Sequence, residues 1–380
     1  MTDGLRIGVV IVGLRTDGGA ERLVHTLLGE LRDTAHEVTV FSLRPVRPDA
    51  RAMAEANGAD VVELSGGFLW SPGRLVRLVR AMRAARLDVV HTHLTSANIL
   101  GLLIGAMLRI PRVVTLHNVR TKADDHWYHG RLESLLIRRL ATRVIAVGQS
   151  TADARRERLG TTPIHVLDNA VPPAPDLDPE RRRTLRAEVM TDPEAALVLT
   201  VGRLAPQKAH HDLIDAIDRL RRDRVVELAI AGRGTLEAEL SEAIRTRGLE
   251  HHVRLLGSRT DARELMAVAD VFVLSSHWEG LPIVMLEAMT SGTPIVATTV
   301  GDIPAVLDEH TGWLVEPKAP AALAATIAEA LDDPEDGRMR AKAAAQVIDT
   351  GYGAASWTER TLDHYRAAID SRGHARGARR

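Results

Sequence analysis

Two glutamates and two cations are the residues whose types and spacing best suit chemistry. Glu279 and Glu287 stand in the run Ser275-Ser276-His277-Trp278-Glu279-Gly280-Leu281-Pro282-Ile283-Val284-Met285-Leu286-Glu287-Ala288-Met289. A strand is expected to end at Ser275, a loop with Gly280 follows, and Pro282 suits the first turn of a helix. Glu287 then lies in an otherwise apolar helical segment, with only Thr290 and Ser291 near it on the same face. Such a carboxylate either faces a solvated strip or reaches a bound polar ligand. Glu279, in the loop, can accept hydrogen bonds from sugar-like hydroxyls. The N–H groups of Gly280, Leu281 and Ile283 can meet negative charge. The cations are Arg203 and Lys208, in Val201-Gly202-Arg203-Leu204-Ala205-Pro206-Gln207-Lys208 after another strand-like run. Lysine is scarce, 4 residues against 45 arginines. A planar fork and a point charge in one loop suit a diphosphate, and the plainer reading is two solvated loop cations.

Weaker signals accompany these. The loop Thr16-Asp17-Gly18-Gly19-Ala20-Glu21-Arg22 follows the first strand-like run. Paired glycines let the backbone approach a ligand, and a helix N-terminus offers N–H groups to a phosphate. The spacing is not that of a dinucleotide binder, and a Gly-Gly pair can equally be only a turn. His93 and His117 each close a strand at its carboxyl end, which makes His117 a candidate for the reaction centre. The alternative is a hydrogen-bonded core histidine. His91-x-His93 has no third ligand at a spacing that zinc would need, and Asp176-x-Asp178 lies in a proline-rich stretch and reads as solvated. No metal, no cofactor and no clear enzymic nucleophile is expected. The chain has no cysteine, which excludes thiol nucleophiles, zinc–thiolate sites and disulfides.

These residues need a frame, and the hydrophobic pattern supplies one. The 380 residues suggest more than one domain. Residues 7–14 (IGVVIVGL) form a continuous apolar, β-branched run typical of a strand covered on both faces. Further strands are predicted at 36–43, 60–64, 89–93, 113–117 and 144–148, with helices between, the first at 20–32. Residues 171–179 (VPPAPDLDP) hold 4 prolines and read as a linker. The alternation then restarts with strands at 197–202, 226–232, 253–257, 271–275, 294–298 and 313–315. Helices are predicted at 209–221, 235–247, 282–291, 320–331, 335–348 and 353–370. This is an α/β chain of two doubly wound domains, with ligands expected in a cleft between their strand carboxyl ends. Boundaries fall at 1–175 and 190–350, with a terminal helix at 351–370 packing back on the first domain and a disordered basic tail at 371–380.

Composition narrows the function classes. The 49 basic and 50 acidic residues nearly cancel, which disfavours a nucleic-acid partner, as do aromatics at 3%. The amino terminus carries an acid and shows no export signal, and the longest apolar stretch, 99–108, is too short to span a bilayer. A cytoplasmic location is expected. Between Ser65 and Lys122 the only acid is Asp88, against nine basic residues. On a helix from 74 to 86, Leu75, Leu78, Val79 and Met82 share one face and Arg74, Arg77, Arg80 and Arg83 lie opposite, just after Phe68, Leu69 and Trp70. The helix either packs on the sheet with solvated arginines or also contacts an anionic inner membrane face near a lipid-linked acceptor.

The run E-G-L-P-I-V-M-L-E-A-M from Glu279, with G-G-A-E-R, V-V-H-T-H-L, T-L-H-N and V-G-R-L-x-x-x-K, resembles the retaining GT-B glycosyltransferases of family 4 across residues 5–350. The resemblance implies two Rossmann-like domains and a nucleotide-diphosphate sugar as donor. Arg203 and Lys208 would hold the diphosphate, and Gly18 and Gly19 would offer backbone contacts. Glu287 would bind the ribose, Glu279 with the Gly280 and Leu281 backbone would orient the sugar, and His117 would sit beside it. The turn Leu256-Gly257-Ser258-Arg259 would frame the nucleobase through backbone groups. The catalytic set is thus His117, Arg203, Lys208 and Glu279. Gly232-Arg233-Gly234-Thr235 departs from a segment where many relatives carry an acid and a proline.

The expected activity is metal-independent, retaining transfer of a sugar to a hydroxyl acceptor on a polysaccharide, glycolipid or metabolite. A nucleotide-sugar epimerase or hydrolase with the same donor grip is the alternative. A non-catalytic partner subunit is disfavoured because the cation pair and both glutamates are intact, and a nicotinamide enzyme would need the dinucleotide fingerprint. Acceptor contacts are expected in loops 44–70 and 119–130.

Overall fold

The computed structural model describes residues 4–16, 18–64, 66, 71–117 and 127–377, with side chains to 371 except those of 127 and 128. The chain forms two compact units, one of residues up to Ala170 together with those from Ala354 onward, the other Val171–Gly353.

In the first unit the elements run β1 (Arg6–Ile11), α1 (Gly19–Leu31), β2 (Glu37–Ser42), α2 (Pro48–Ala56), β3 (Asp60–Glu63), α3 (Pro72–Ala84), β4 (Val89–His93), α4 (Thr95–Met107), β5 (Arg112–Leu116), α5 (Trp127–Leu140), β6 (Arg143–Ala146), α6 (Gln149–Leu159) and β7 (His165–Val166). The second holds α7 (Pro179–Val189), β8 (Ala196–Val201), α8 (His210–Leu220), β9 (Val226–Ala231), α9 (Glu237–Thr246), β10 (Val253–Gly257), α10 (Ala262–Met266), β11 (Val271–Leu274), α11 (Ile283–Thr290), β12 (Ile295–Thr298), β13 (Trp313–Val315), α12 (Pro320–Asp332) and α13 (Pro334–Gly351). The last helix, α14 (Ala354–Gly377), belongs to the first unit and packs on α1, β4 and β5.

Both sheets are parallel, with strand orders β3-β2-β1-β4-β5-β6-β7 and β10-β9-β8-β11-β12-β13. This is the doubly wound α/β architecture the sequence predicts. In each unit the chain leaves one edge and restarts at the centre, so the strand order reverses between β1 and β4 and between β8 and β11. Ligands of such sheets bind where the carboxyl ends of those central strands diverge. Helices cover both faces, which is why the central strands read as unbroken apolar runs: Ile7, Val9, Val10 and Ile11 are buried, as are Leu197, Val198 and Leu199.

Several local expectations change. The two-residue strand β7 is too short to show a period, and α7 hides behind the prolines. Asp178 is exposed, as the sequence suggests, and is also the N-cap of α7, accepting a hydrogen bond from the Arg181 amide at 2.7 Å. The proline stretch does not hang loose: Arg263 Nη2 donates to the carbonyls of Pro172 (2.8 Å) and Pro173 (2.5 Å), and Val171 bridges to Gly353. Helix α14 continues through residues 371–377, where a disordered tail is expected; residues 378–380 lie outside the described residues. Arg74 does not share the solvated face of α3. It is buried, and its Nη2 donates to the Gly66 carbonyl at 2.6 Å, while Arg77, Arg80 and Arg83 are exposed. Phe68, Leu69 and Trp70 lie outside the described residues.

Candidate functional site

In the second unit, β8 and β11 are neighbours, and their carboxyl ends feed the loops 202–209 and 275–282. The loops are stitched together by backbone and side-chain bonds. The His277 amide donates to the Gln207 carbonyl at 2.8 Å, and Ser275 Oγ donates to the Lys208 carbonyl at 3.0 Å. These bonds tie the Ser275–His277 segment to the Gln207–Lys208 end of the other loop.

Within this pair of loops the charged residues converge. Lys208 Nζ lies 2.6 Å from Glu279 Oε1, and Ser276 Oγ donates to the same oxygen at 2.6 Å. Gln207 Nε2 donates to Glu279 Oε2 and to the Trp278 carbonyl, both at 3.0 Å, and Gln207 Oε1 accepts from Arg203 Nη2 at 3.2 Å. The side chains of Lys208 and Glu279 are 12% and 7% exposed, so the pair is held away from bulk water, whereas Arg203 is exposed. Glu279 has a structural part that its sequence position does not announce. Its carboxylate is engaged by three donors from the protein, and it anchors Lys208.

Gln207 is a member of this cluster that charge-based reading gives no role; its only sequence signal is its place between the two cations. Gly301 is another. Its φ is 60°, and a Cβ there would fall 2.4 Å from the Glu279 carbonyl oxygen, while the Asp302 amide donates to the Gly280 carbonyl at 3.1 Å. Only glycine lets the 299–303 turn press against the Glu279-Gly280 backbone.

Leu281 is buried and leads into α11, which begins at Ile283. Pro282 is its N-cap rather than a first-turn residue: its backbone is extended, and its carbonyl accepts from Met285. Glu287, on this helix, is buried at 5% exposure, so the solvated-strip alternative fails. At the end of β10, Gly257 has a φ of 66° and its carbonyl accepts from the Gly232 amide at 2.7 Å. Ser258 follows it. Arg259 turns instead to Asp261 (2.6 Å) and to Glu188 of α7 (2.9 Å), and the Asp261 hydrogen bond raises its pKa.

In the first unit, Gly18 caps α1 and Gly19 is that helix's first residue; Asp17 lies outside the described residues. A Cβ on Gly18 would meet the Glu21 carboxylate, at 2.1 Å from its Oε2. His117 directly follows β5, is half-buried, and its Nε2 lies 2.8 Å from Nδ1 of His93 at the end of β4. Burial lowers the pKa of both rings. His91 is anchored at both nitrogens, to Tyr365 Oη (2.7 Å) and to Thr115 Oγ1 (2.6 Å). Asn118, Arg120, Lys122 and the 119–126 part of the expected acceptor loop lie outside the described residues. Among the described residues no three histidines or carboxylates are grouped as metal ligands, and no helix is long and apolar enough to cross a membrane.

The chain is similar to known proteins over most of its length. Residues 17–174 match the family described as Glycosyltransferase Family 4, and residues 181–347 match Glycosyl transferases group 1. A glycogen synthase of Mycobacterium tuberculosis is 30% identical over 92% of this chain and 91% of its own. A D-inositol 3-phosphate glycosyltransferase of Kineococcus radiotolerans is 30% identical over 95% of this chain and 93% of its own. The crystal structure of Anabaena HepE in complex with UDP-glucose superposes with a TM-score of 0.83 at 22% identity, covering 95% of this chain and 99% of that one.

Proposed function

Because the chain belongs to the group 1 glycosyltransferases of family 4, we propose that it transfers a sugar from a nucleotide-diphosphate donor to a hydroxyl acceptor, with retention and without a metal ion. The observation that carries this reading is the Arg203–Gln207–Glu279–Lys208 cluster at the carboxyl ends of β8 and β11. Lys208 Nζ has three N–H donors and gives one to Glu279, which leaves two for phosphate oxygens. Arg203 adds a fork from the same loop. As the bond to the anomeric carbon breaks, charge grows on the leaving diphosphate, and fixed cations stabilise it there without a metal.

Glu287 binds the ribose hydroxyls in this reading, and the Gly257–Ser258 backbone frames the base. Glu279, with the Gly280 and Leu281 backbone, orients the sugar while it anchors Lys208. His117 contacts the donor sugar, Gly18 and Gly19 offer backbone amides, and the phosphate oxygen of the leaving group takes the acceptor proton. UDP-glucose, bound by HepE, is the first donor to try.

The test is UDP release from UDP-glucose and a panel of other nucleotide sugars, with and without hydroxyl acceptors, in wild type, Lys208→Ala and Glu287→Ala. Both variants are expected to lose donor use. Wild-type turnover and donor affinity in both would overturn the site, rapid epimerisation of donor without acceptor would overturn the reaction, and loss of activity in chelator restored by manganese would overturn metal independence. The exposed Arg77, Arg80 and Arg83 of α3 support a second part of the reading, docking on an anionic membrane near a lipid-linked acceptor. Equal sedimentation with neutral and anionic vesicles would remove it.

A further inference from the structure

The side chains of His91, His93 and His117 form a continuous row at the carboxyl ends of β4 and β5, and the row has a direction. His91 is pinned at both ring nitrogens, by Tyr365 from α14 and by Thr115 from β5. The His93 ring packs on it with centroids 4.1 Å apart. His93 in turn reaches His117 with its Nδ1, 2.8 Å from His117 Nε2. Its own Nε2 is buried and has no partner among the described residues.

A nitrogen–nitrogen hydrogen bond between neutral imidazoles needs one N–H and one bare lone pair. If His93 carried its proton on Nε2, that N–H would be a buried donor with no acceptor, and two lone pairs would face each other at 2.8 Å unless His117 donated. With the proton on Nδ1, His93 donates to His117 and leaves only a bare acceptor behind. A neutral His117 whose Nε2 accepts must carry its own proton on Nδ1.

We propose that His93 is a positioning residue that fixes His117 as the Nδ1–H tautomer, so that His117 meets its ligand as a hydrogen-bond donor and not as a base. This rests on the reading above that His117 contacts the donor sugar. The ligand group it recognises is an acceptor oxygen, of the kind a sugar hydroxyl or ring oxygen presents. His91, clamped by Tyr365 and Thr115, is the wall that holds the His93 ring in place.

Long-range nitrogen–proton NMR of the intact, nitrogen-15-histidine-labelled protein tests this without substrate. The His117 signals are assigned by their loss in His117→Gln. The expected result at neutral pH is a protonated Nδ1 and an unprotonated Nε2; a protonated Nε2 overturns the proposal. His93→Phe keeps a ring against His91 but removes the donor, and should release His117 to the other tautomer and lower UDP-glucose turnover roughly tenfold. His93→Asn, whose amide nitrogen stands where Nδ1 did, should restore both. An unchanged His117 tautomer in His93→Phe also overturns the proposal, and if that variant does not fold, the wild-type tautomer still decides. Unaltered turnover in His117→Gln would remove the sugar contact and leave the tautomer result standing, so the two readings fail separately.

Discussion

At the scale of single residues, the candidate site is a buried ion pair with neutral helpers and an exposed arginine. Lys208 and Glu279 are charged, and their types advertise them in the sequence. Gln207 carries no charge, and its role comes only from reaching Glu279, the Trp278 carbonyl and Arg203 at once. Removing one partner of a buried pair costs more than removing both, because the remaining charge loses its compensation. Lys208→Met should therefore lower stability by about 3 kcal/mol, read from urea unfolding. It should also reduce donor kcat/KM by roughly 10²–10³-fold, the scale of losing one preorganised electrostatic contact. Adding Glu279→Gln to that variant should recover most of the stability and none of the turnover. A double variant that regained turnover would show that Lys208 serves only to neutralise Glu279.

At the scale of elements, strand ends and glycines set where those residues meet. The parallel strands were legible because residues covered on both faces must be apolar, and the loops were legible because they are where the pattern stops. What the pattern does not carry is loop-to-loop contact. Gly301 reads as an ordinary glycine after a strand, yet its left-handed backbone and the 2.4 Å approach of a Cβ to the Glu279 carbonyl make it the position the 279–281 loop depends on. Gly301→Ala should destabilise by ~1–3 kcal/mol, the range for a side chain forced into a sparsely populated backbone region. It should also raise the donor KM, and a titration with UDP showing wild-type affinity in this variant would refute the dependence. Helix α3 shows the opposite error. Spacing places Arg74 with Arg77, Arg80 and Arg83, but its guanidinium satisfies the Gly66 carbonyl inside the fold.

At the scale of the whole molecule, α14 returns the chain to the first unit and buries Tyr365 against His91. Tyr365→Ala should cost ~3–5 kcal/mol, as for other large aromatic truncations in a core, whereas Tyr365→Phe loses only the hydrogen bond and should cost roughly 1 kcal/mol. Equal losses in calorimetry would show that the hydroxyl and not the ring is what matters. The buried histidines make folding pH-dependent. Burial pushes the pKa of His91 down to about 3 and that of His210 to about 4, and lowers that of His93 well below its ordinary value. The unfolded chain then binds protons at a pH where the folded one does not. Stability is at its full value above about pH 6.5, the ordinary histidine pKa, and falls as the pH drops from there toward the folded values, by ~1.4 kcal/mol per pH unit for each such group. Carboxylates such as Asp261, whose pKa Arg259 lowers, enter only at more acid pH. The melting midpoint should fall between pH 7 and 5, with a shallower fall in His91→Gln; a flat profile would refute it.

The amino-acid sequence by itself determined the two α/β halves, their strand-to-helix loops and the charged residues in them, because burial on both faces and the cost of placing charge in a core act locally and leave a periodic trace. Only the tertiary structure decided that Glu279 anchors Lys208, that Gln207 and Gly301 belong to the site, that Arg74 is interior and that three histidines and Tyr365 form one row. Each of these is a contact between residues far apart in the chain, or across a loop with no period. Such contacts are chosen by which polar groups must find partners once water is excluded, and spacing along the chain does not record that choice.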